Sequence, residues 1–212
     1  VPWDDLHHIA LSETDGIHDG RWVFGNGNNT PRIARIDLKT FKTVEIIEIQ
    51  GGNVSDGNYG VAVDVGTTTV VAHLLNLSRG ETVDTEATYN SQIKYGDDYI
   101  QRIMYAAENT AMELMQEVLA EDINHLISTL VKRNHLSIHD IHAVVCAGNT
   151  VMTHFLLGLD PTNIRKEPYL PTASFVPPLR AHEVGIKINN NGLLYTLPCV
   201  GAYVGGDISS GA

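Results

Sequence analysis

Cysteine is scarce in this chain: Cys146 and Cys199 are the only two among 212 residues. Two cysteines cannot build a disulfide framework of any size, and their sparsity fits a reducing compartment, the cytoplasm. Each lies in an apolar stretch, and their separation matches no metal or iron–sulfur pattern, so both read as small buried hydrophobes. Basic residues are also few, 14 against 25 acids, for a net charge of -11. That excludes a general nucleic-acid surface, which needs a basic stripe, but leaves room for local anion binding by a loop and a metal. No apolar run approaches the roughly 18 residues of a membrane span. The opening Val1-Pro2-Trp3-Asp4-Asp5 has neither the basic region nor the apolar run of a signal peptide. Without secretion the N-x-S/T matches at Asn28, Asn53 and Asn76 carry no meaning. A start without Met and a stop at Ser210-Gly211-Ala212 read as a fragment of a longer chain.

What is present is the composition of a globular core, 43% hydrophobic and 18% charged. The organising stretch runs from Tyr59 to Ala72. Val61 to Val65 reads as a buried strand holding one acid, Asp64. A carboxylate buried there would be costly unless it met a cation. Gly66 permits close backbone approach, and Thr67, Thr68 and Thr69 offer hydroxyls and backbone N–H groups together. Such a turn can grip a phosphate through aimed amides while the carboxylate holds Mg²⁺ or its waters. The same residues would also serve an ordinary hairpin with an edge aspartate.

Residues 1–57 differ from the rest. Trp3–Ser12 suits a short helix or an irregular entry segment, and Gly25–Pro31 is dense in turn residues. Arg21–Phe24, Ile33–Leu38 and Lys42–Gln50 read as strands, and residues 51–58 as a linker. From Tyr59 onward, Val61–Val65, Val70–Leu77 and Thr82–Tyr89 predict an antiparallel meander. Asp97 or Asp98 can cap a helix over Tyr99–Ala107, with Ile100, Ile103 and Met104 on its apolar side. The three-and-four spacing of Leu114, Met115, Val118, Leu119, Ile123, Leu126, Ile127 and Leu130 predicts a second helix over 110–134. His125 and His135 on it face solvent. Ile141–Ala147 reads as a central strand, apolar on both faces apart from His142. It runs into Gly148-Asn149-Thr150 and a short helix ending at Gly158. A proline-rich excursion comes next, then a strand at Leu193–Leu197, then Gly205-Gly206-Asp207 at a helix start. Asn149 either faces the cleft or ties down its turn. His154 is either packed or a ligand contact. Gly205-Gly206-Asp207 is either a second phosphate or metal motif or a turn ahead of a helix.

The order of three antiparallel strands, helix, strand and helix resembles a ribonuclease-H-like half-domain. Two such halves build the ATPase superfamily of acetate and sugar kinases, actin and heat-shock chaperones. More narrowly, Tyr59–Val71 resembles the start of the C-terminal ATPase domain of the reductive activators of corrinoid proteins. So do Asn90-Ser91-Gln92 with Tyr95-Gly96-Asp97-Asp98, Arg102-Ile103 with Tyr105-Ala106, and Ala147–Pro161. The resemblance implies an α/β (α+β) actin/hexokinase-type half-domain over residues 58–212, truncated at its C-terminal end. Residues 1–57 would then be the β-rich end of a preceding middle domain.

By the same resemblance, ATP and Mg²⁺ help reduce a partner corrinoid protein from cob(II)alamin to cob(I)alamin for methyl transfer. The electron comes from a donor protein or reductant through a [2Fe–2S] cluster in a missing N-terminal domain. Asp64 and Asp207 become the candidate catalytic carboxylates, with Asp64 also holding the metal. Gly66, Thr67, Thr68, Thr69, Gly148, Asn149, Gly205 and Gly206 become the nucleotide-binding positions, and a homodimer is admitted. With the adenosine motif expected beyond residue 212, the fragment alone is expected to be inactive. A small-molecule kinase of the same superfamily and a non-catalytic docking or dimerisation domain are the alternatives.

Overall fold

The computed structural model describes residues 9–11, 20–27, 30–37, 42–49, 58–202 and 204–209. The chain divides into two compact units, Val1–Asn58 and Tyr59–Ala212. In the first, strands β1 (Ile9–Leu11), β2 (Gly20–Gly27), β3 (Thr30–Asp37) and β4 (Lys42–Ile49) form an antiparallel sheet in sequence order. Ile9–Leu11 is therefore strand where a helix or irregular segment was expected. The rest of that segment, the Asn28-Asn29 turn and the linker at 51–57 lie outside the described residues.

The second unit is a mixed α/β domain on a six-stranded sheet. Strands β5 (Tyr59–Val65), β6 (Thr69–Asn76) and β7 (Glu81–Tyr89) form the meander, and β8 (Ile141–Gly148) runs parallel to β5 on its other side. Beyond β8 come β9 (Leu179–Arg180) and β10 (Leu193–Thr196), giving the order β7-β6-β5-β8-β10-β9. The two-residue β9 has too little pattern to be read from sequence. Its pairing with β10 supplies the reason for its extended backbone.

Alternation sets the core face. Val61, Val63 and Val65 of β5 stand in register with Leu74, Ala72 and Val70 of β6 and with Val144, Cys146 and Gly148 of β8, and all are buried. Helices α1 (Tyr99–Glu108), α2 (Met112–Arg133) and α3 (Thr150–Leu157) contribute the other half of this core. Met115, Leu119, Ile123, Leu126, Ile127 and Leu130 form the α2 stripe at 0% exposure, each such side chain contributing roughly 1.5–3 kcal/mol. His125 and His135 are exposed, as their positions off the stripe require. Burial also pushes the Cys146 thiol up to about 12, so it packs as an inert hydrophobe.

Helix ends follow local chemistry. Asp98 caps α1 by accepting the Gln101 N–H at 2.8 Å. The last turn of α2 carries Arg133, whose guanidinium bonds Asp84 and Glu86 of β7. That contact holds the Asp84 carboxyl down at about 2. Gly158 ends α3 at φ 66, a left-handed conformation that glycine adopts without strain.

Two expectations need correction here. The buried side of α1 is Arg102, Ile103 and Ala106, while Ile100 and Met104 are exposed. Arg102 joins the stripe because its Nε donates to Gly96 O at 2.9 Å. Strand β8 is central but not covered on both faces, since Val145 is 37% exposed and His142 lies on the core side.

Candidate functional site

Asp64 is exposed, contrary to the expectation of a carboxylate buried in a core strand. Alternation explains the difference: Val63 and Val65 take the core face, so Asp64 must take the other. It stands in register with Val71 and Ala147 and has no ion pair or hydrogen bond to a described residue. It keeps its hydration, the state in which a lone carboxylate holds Mg²⁺ through water. Mg²⁺ retains several waters and takes only one or two carboxylates beside phosphate oxygens. Among the described residues no cluster of three metal-ligating side chains exists.

The turn after Asp64 is built for close approach. A Cβ on Gly66 would lie 2.4 Å from Thr69 O. Thr67 and Thr68 donate their amides to no described residue. The Thr68 and Thr69 side chains are exposed. Thr67 is partly enclosed because its hydroxyl oxygen accepts from Asn149 Nδ2 at 3.0 Å.

That bond joins the second glycine corner to the first. Asn149 caps α3, its Oδ1 accepting the Val151 and Met152 amides at 3.0 Å each. These helix amides are therefore already used, and Asn149 ties down its turn. Gly148 has no room for a side chain, since a Cβ would sit 2.9 Å from Val65 O. Gly205 presses on the same corner: its Cβ would come within 2.4 Å of Asn149 Cα and Gly148 O. Three separate glycine motifs thus converge at the C-terminal ends of β5 and β8. Gly206 opens α4 (Gly206–Ser209) against Leu197, and Asp207 is exposed in its first turn, accepting the Ile208 N–H at 2.9 Å. A cavity of about 340 Å³, lined by Gln116, Leu157, Leu159, Val176 and Glu183, shares no residue with this corner.

Other sequence candidates resolve simply. Asp98 is a helix cap, and Asp97 donates its N–H to Gln101 Oε1. His154 is 0% exposed, with Nδ1 2.6 Å from Thr150 O and Nε2 accepting the Thr172 N–H at 3.1 Å. Nε2 as acceptor leaves the ring proton on Nδ1, donating to Thr150 O. Burial moves its pKa down. It is a packed residue, enclosed away from any large ligand.

One cluster carried no role in the sequence reading. Asn90, Gln92 and Arg102 are all 0% exposed. Asn90 Nδ2 donates to Gly66 O at 2.9 Å, and its backbone N–H donates to Thr68 O at 2.8 Å. Gln92 Nε2 donates to Met115 O, and Arg102 Nη1 reaches Gln92 Oε1 and Met152 Sδ. Arg102 Nη2 is buried without a partner, and desolvation lowers its pKa. The sequence signal was the family resemblance of Asn90-Ser91-Gln92 and Arg102-Ile103, which assigned these residues no role.

Residues 59–212 match the family model described as the RACo middle region. The corrinoid activation enzyme RamQ of Eubacterium limosum is 31% identical over 153 residues, covering 72% of this chain and 26% of that protein. A solved reductive activator for corrinoid,iron-sulfur protein is 41% identical, covers 85% of this chain and 29% of its own, and superposes with a TM-score of 0.78. The chain thus spans between a quarter and a third of the relatives it matches. The family's own division gives the middle-region description to residues 59–212.

Proposed function

This chain belongs to the family of the RACo middle region, and from that premise we propose that it is part of an ATP-dependent activator of a corrinoid protein. The complete protein returns its partner's cobalt from cob(II)alamin to cob(I)alamin, the nucleophile of methyl transfer. The electron comes from a donor protein or reductant through a [2Fe–2S] domain that this chain does not contain. The names of both relatives support a corrinoid partner. The strand order β7-β6-β5-β8-β10, three antiparallel and then parallel, supports a ribonuclease-H-like half-domain of the actin and sugar-kinase type.

The observation that carries the reading is the convergence of Asp64, the Gly66–Thr69 turn, Asn149 and Gly205 at the C-terminal ends of β5 and β8. Bound Mg·ATP would supply hydrolysis energy for a closure that biases the partner's cobalt toward reduction. Asp64 holds the metal's waters in place. The unpartnered amides of Thr67 and Thr68, with the exposed hydroxyls of Thr68 and Thr69, neutralise phosphate oxygens. Phosphoryl chemistry asks mainly for such positioning and electrostatic stabilisation. Gly148 and Gly205 keep the corner low enough for a ligand to approach the backbone. Asp207 stands as the second carboxylate, at the start of α4. On this reading the corner is half of a site. The free thiols of Cys146 and Cys199 suit a cytoplasmic location, and the described residues contain no helix able to cross a membrane.

The test is cob(I) formation by the full-length protein carrying Asp64→Ala, followed by visible absorbance with corrinoid partner, reductant and ATP. The expected result is loss of ATP-dependent reduction; a wild-type rate sinks the role of Asp64. Release of inorganic phosphate alone separates this activity from a small-molecule kinase. Calorimetry with Mg·ATP on the intact chain decides the docking alternative. No binding there means docking.

A further inference from the structure

The phosphate turn is held from behind by one buried side chain. Asn90 is 0% exposed and uses each of its polar groups. Its N–H goes to Thr68 O at 2.8 Å, and Nδ2 goes to Gly66 O at 2.9 Å and Met152 Sδ at 3.6 Å. Its Oδ1 accepts the Gln92 N–H at 3.0 Å, and its carbonyl accepts the Ile93 N–H at 3.1 Å. The turn's two inward carbonyls, Gly66 O and Thr68 O, thus end on the same residue. Each belongs to a peptide unit whose N–H is on the next residue, Thr67 or Thr69. In a planar trans peptide the N–H points opposite to the C=O, and neither bond here is cis. Drawing Gly66 O toward Asn90 therefore turns the Thr67 amide, which no described residue accepts, away from Asn90, while the Thr69 amide turns from the β7 side of β6 to the β5 side.

We infer that Asn90 is a positioning residue for phosphate recognition, setting the orientation of the Gly66–Thr67 peptide so that the Thr67 amide meets an anionic phosphate. This deepens the nucleotide reading of the site and rests on it. Without Nδ2, Gly66 O would be left beneath the turn with no donor. Its peptide would then rotate toward water, carrying the Thr67 N–H inward. Asn90 is itself held rigidly. Gln92, which it caps, is anchored on Met115 O at 2.8 Å, and Met152 Sδ receives both Asn90 Nδ2 and, at 3.8 Å, Arg102 Nη1. Three helices and the turn meet on this cluster, so the turn's geometry is fixed before a ligand arrives.

The test uses the full-length protein with two variants that retain a capping oxygen for Gln92. Asn90→Ser is a good helix cap too short to reach Gly66. Asn90→Asp keeps the size but sets an oxygen against the Gly66 carbonyl. Leu130→Ala, a core truncation outside the site, serves as the stability control. Calorimetry with Mg·ATP should show both Asn90 variants binding roughly tenfold more weakly, the scale of one lost buried hydrogen bond. The Km for Mg·ATP in phosphate release should rise with kcat largely retained. The control, although melting lower, should bind Mg·ATP like wild type. Unchanged affinity in both Asn90 variants, or an equal loss in Leu130→Ala, overturns the inference. Wild-type protein that fails to bind Mg·ATP refutes the nucleotide reading itself, and the inference goes with it.

Discussion

Asn149 donates its side-chain amide to the Thr67 hydroxyl oxygen at 3.0 Å, linking two turns that lie 82 residues apart in sequence. The same side chain accepts two amides of α3. One residue thus sets the height of the phosphate turn relative to the helix beside it.

Separating these two roles is possible by substitution. Asn149→Ala should lose the cap and the tie, costing about 1–2 kcal/mol of stability. Asn149→Ser keeps a capping oxygen but has no N–H to offer Thr67, and should recover at least half of that loss. Urea denaturation of the three proteins measures both steps. Identical midpoints for Ala and Ser would show that the cap contributes nothing here.

Gly205 and Gly201 make a contrasting pair. A Cβ on Gly205 would lie 2.4 Å from Asn149 Cα and Gly148 O, atoms of the backbone that cannot swing aside. Gly205→Ala must therefore push α4 off the corner, at a cost of about 1–3 kcal/mol. A Cβ on Gly201 meets nothing within 4 Å, and Gly201→Ala should stay within about 0.5 kcal/mol of wild type. Thermal melts compare them directly. A neutral Gly205→Ala would mean that the close packing of the two corners is not required.

His154 predicts a pH dependence with a definite sign. Its pKa in the folded chain is depressed below the ordinary 6.5 by burial, and its Nε2 must stay unprotonated to accept the Thr172 N–H. The unfolded chain therefore binds the proton more readily. The stabilisation is complete above about pH 6.5 and is lost as pH falls below it, toward the folded value. Asp84, held at about 2 from an ordinary 3.8, adds a separate loss only under more acidic conditions. Denaturation midpoints between about pH 5 and 7.5 should slope downward with acid in wild type. The slope should flatten in His154→Gln, which cannot gain the charge. A slope unchanged in that variant would assign the effect elsewhere.

Much of this protein is dictated by sequence-local chemistry. Alternating Val61, Val63 and Val65 specifies a one-faced strand, and the stripe from Met115 to Leu130 specifies a long amphipathic helix. Asn149 before an apolar run and Gly158 after it set the limits of α3, because capping acts over three or four residues. The glycine–threonine turn between β5 and β6 was legible for the same reason. What remained hidden depends on residues far apart in the chain. The exposure of Asp64 is decided by which sheet face the helices cover. The pairing of Asn149 with Thr67, the packing of Gly205 against both, and the role of Asn90 exist only once β5 and β8 lie side by side. Local spacing named the Gly66–Thr69 turn; only the parallel pairing of two distant strands put a helix cap, a glycine and a buried asparagine around it.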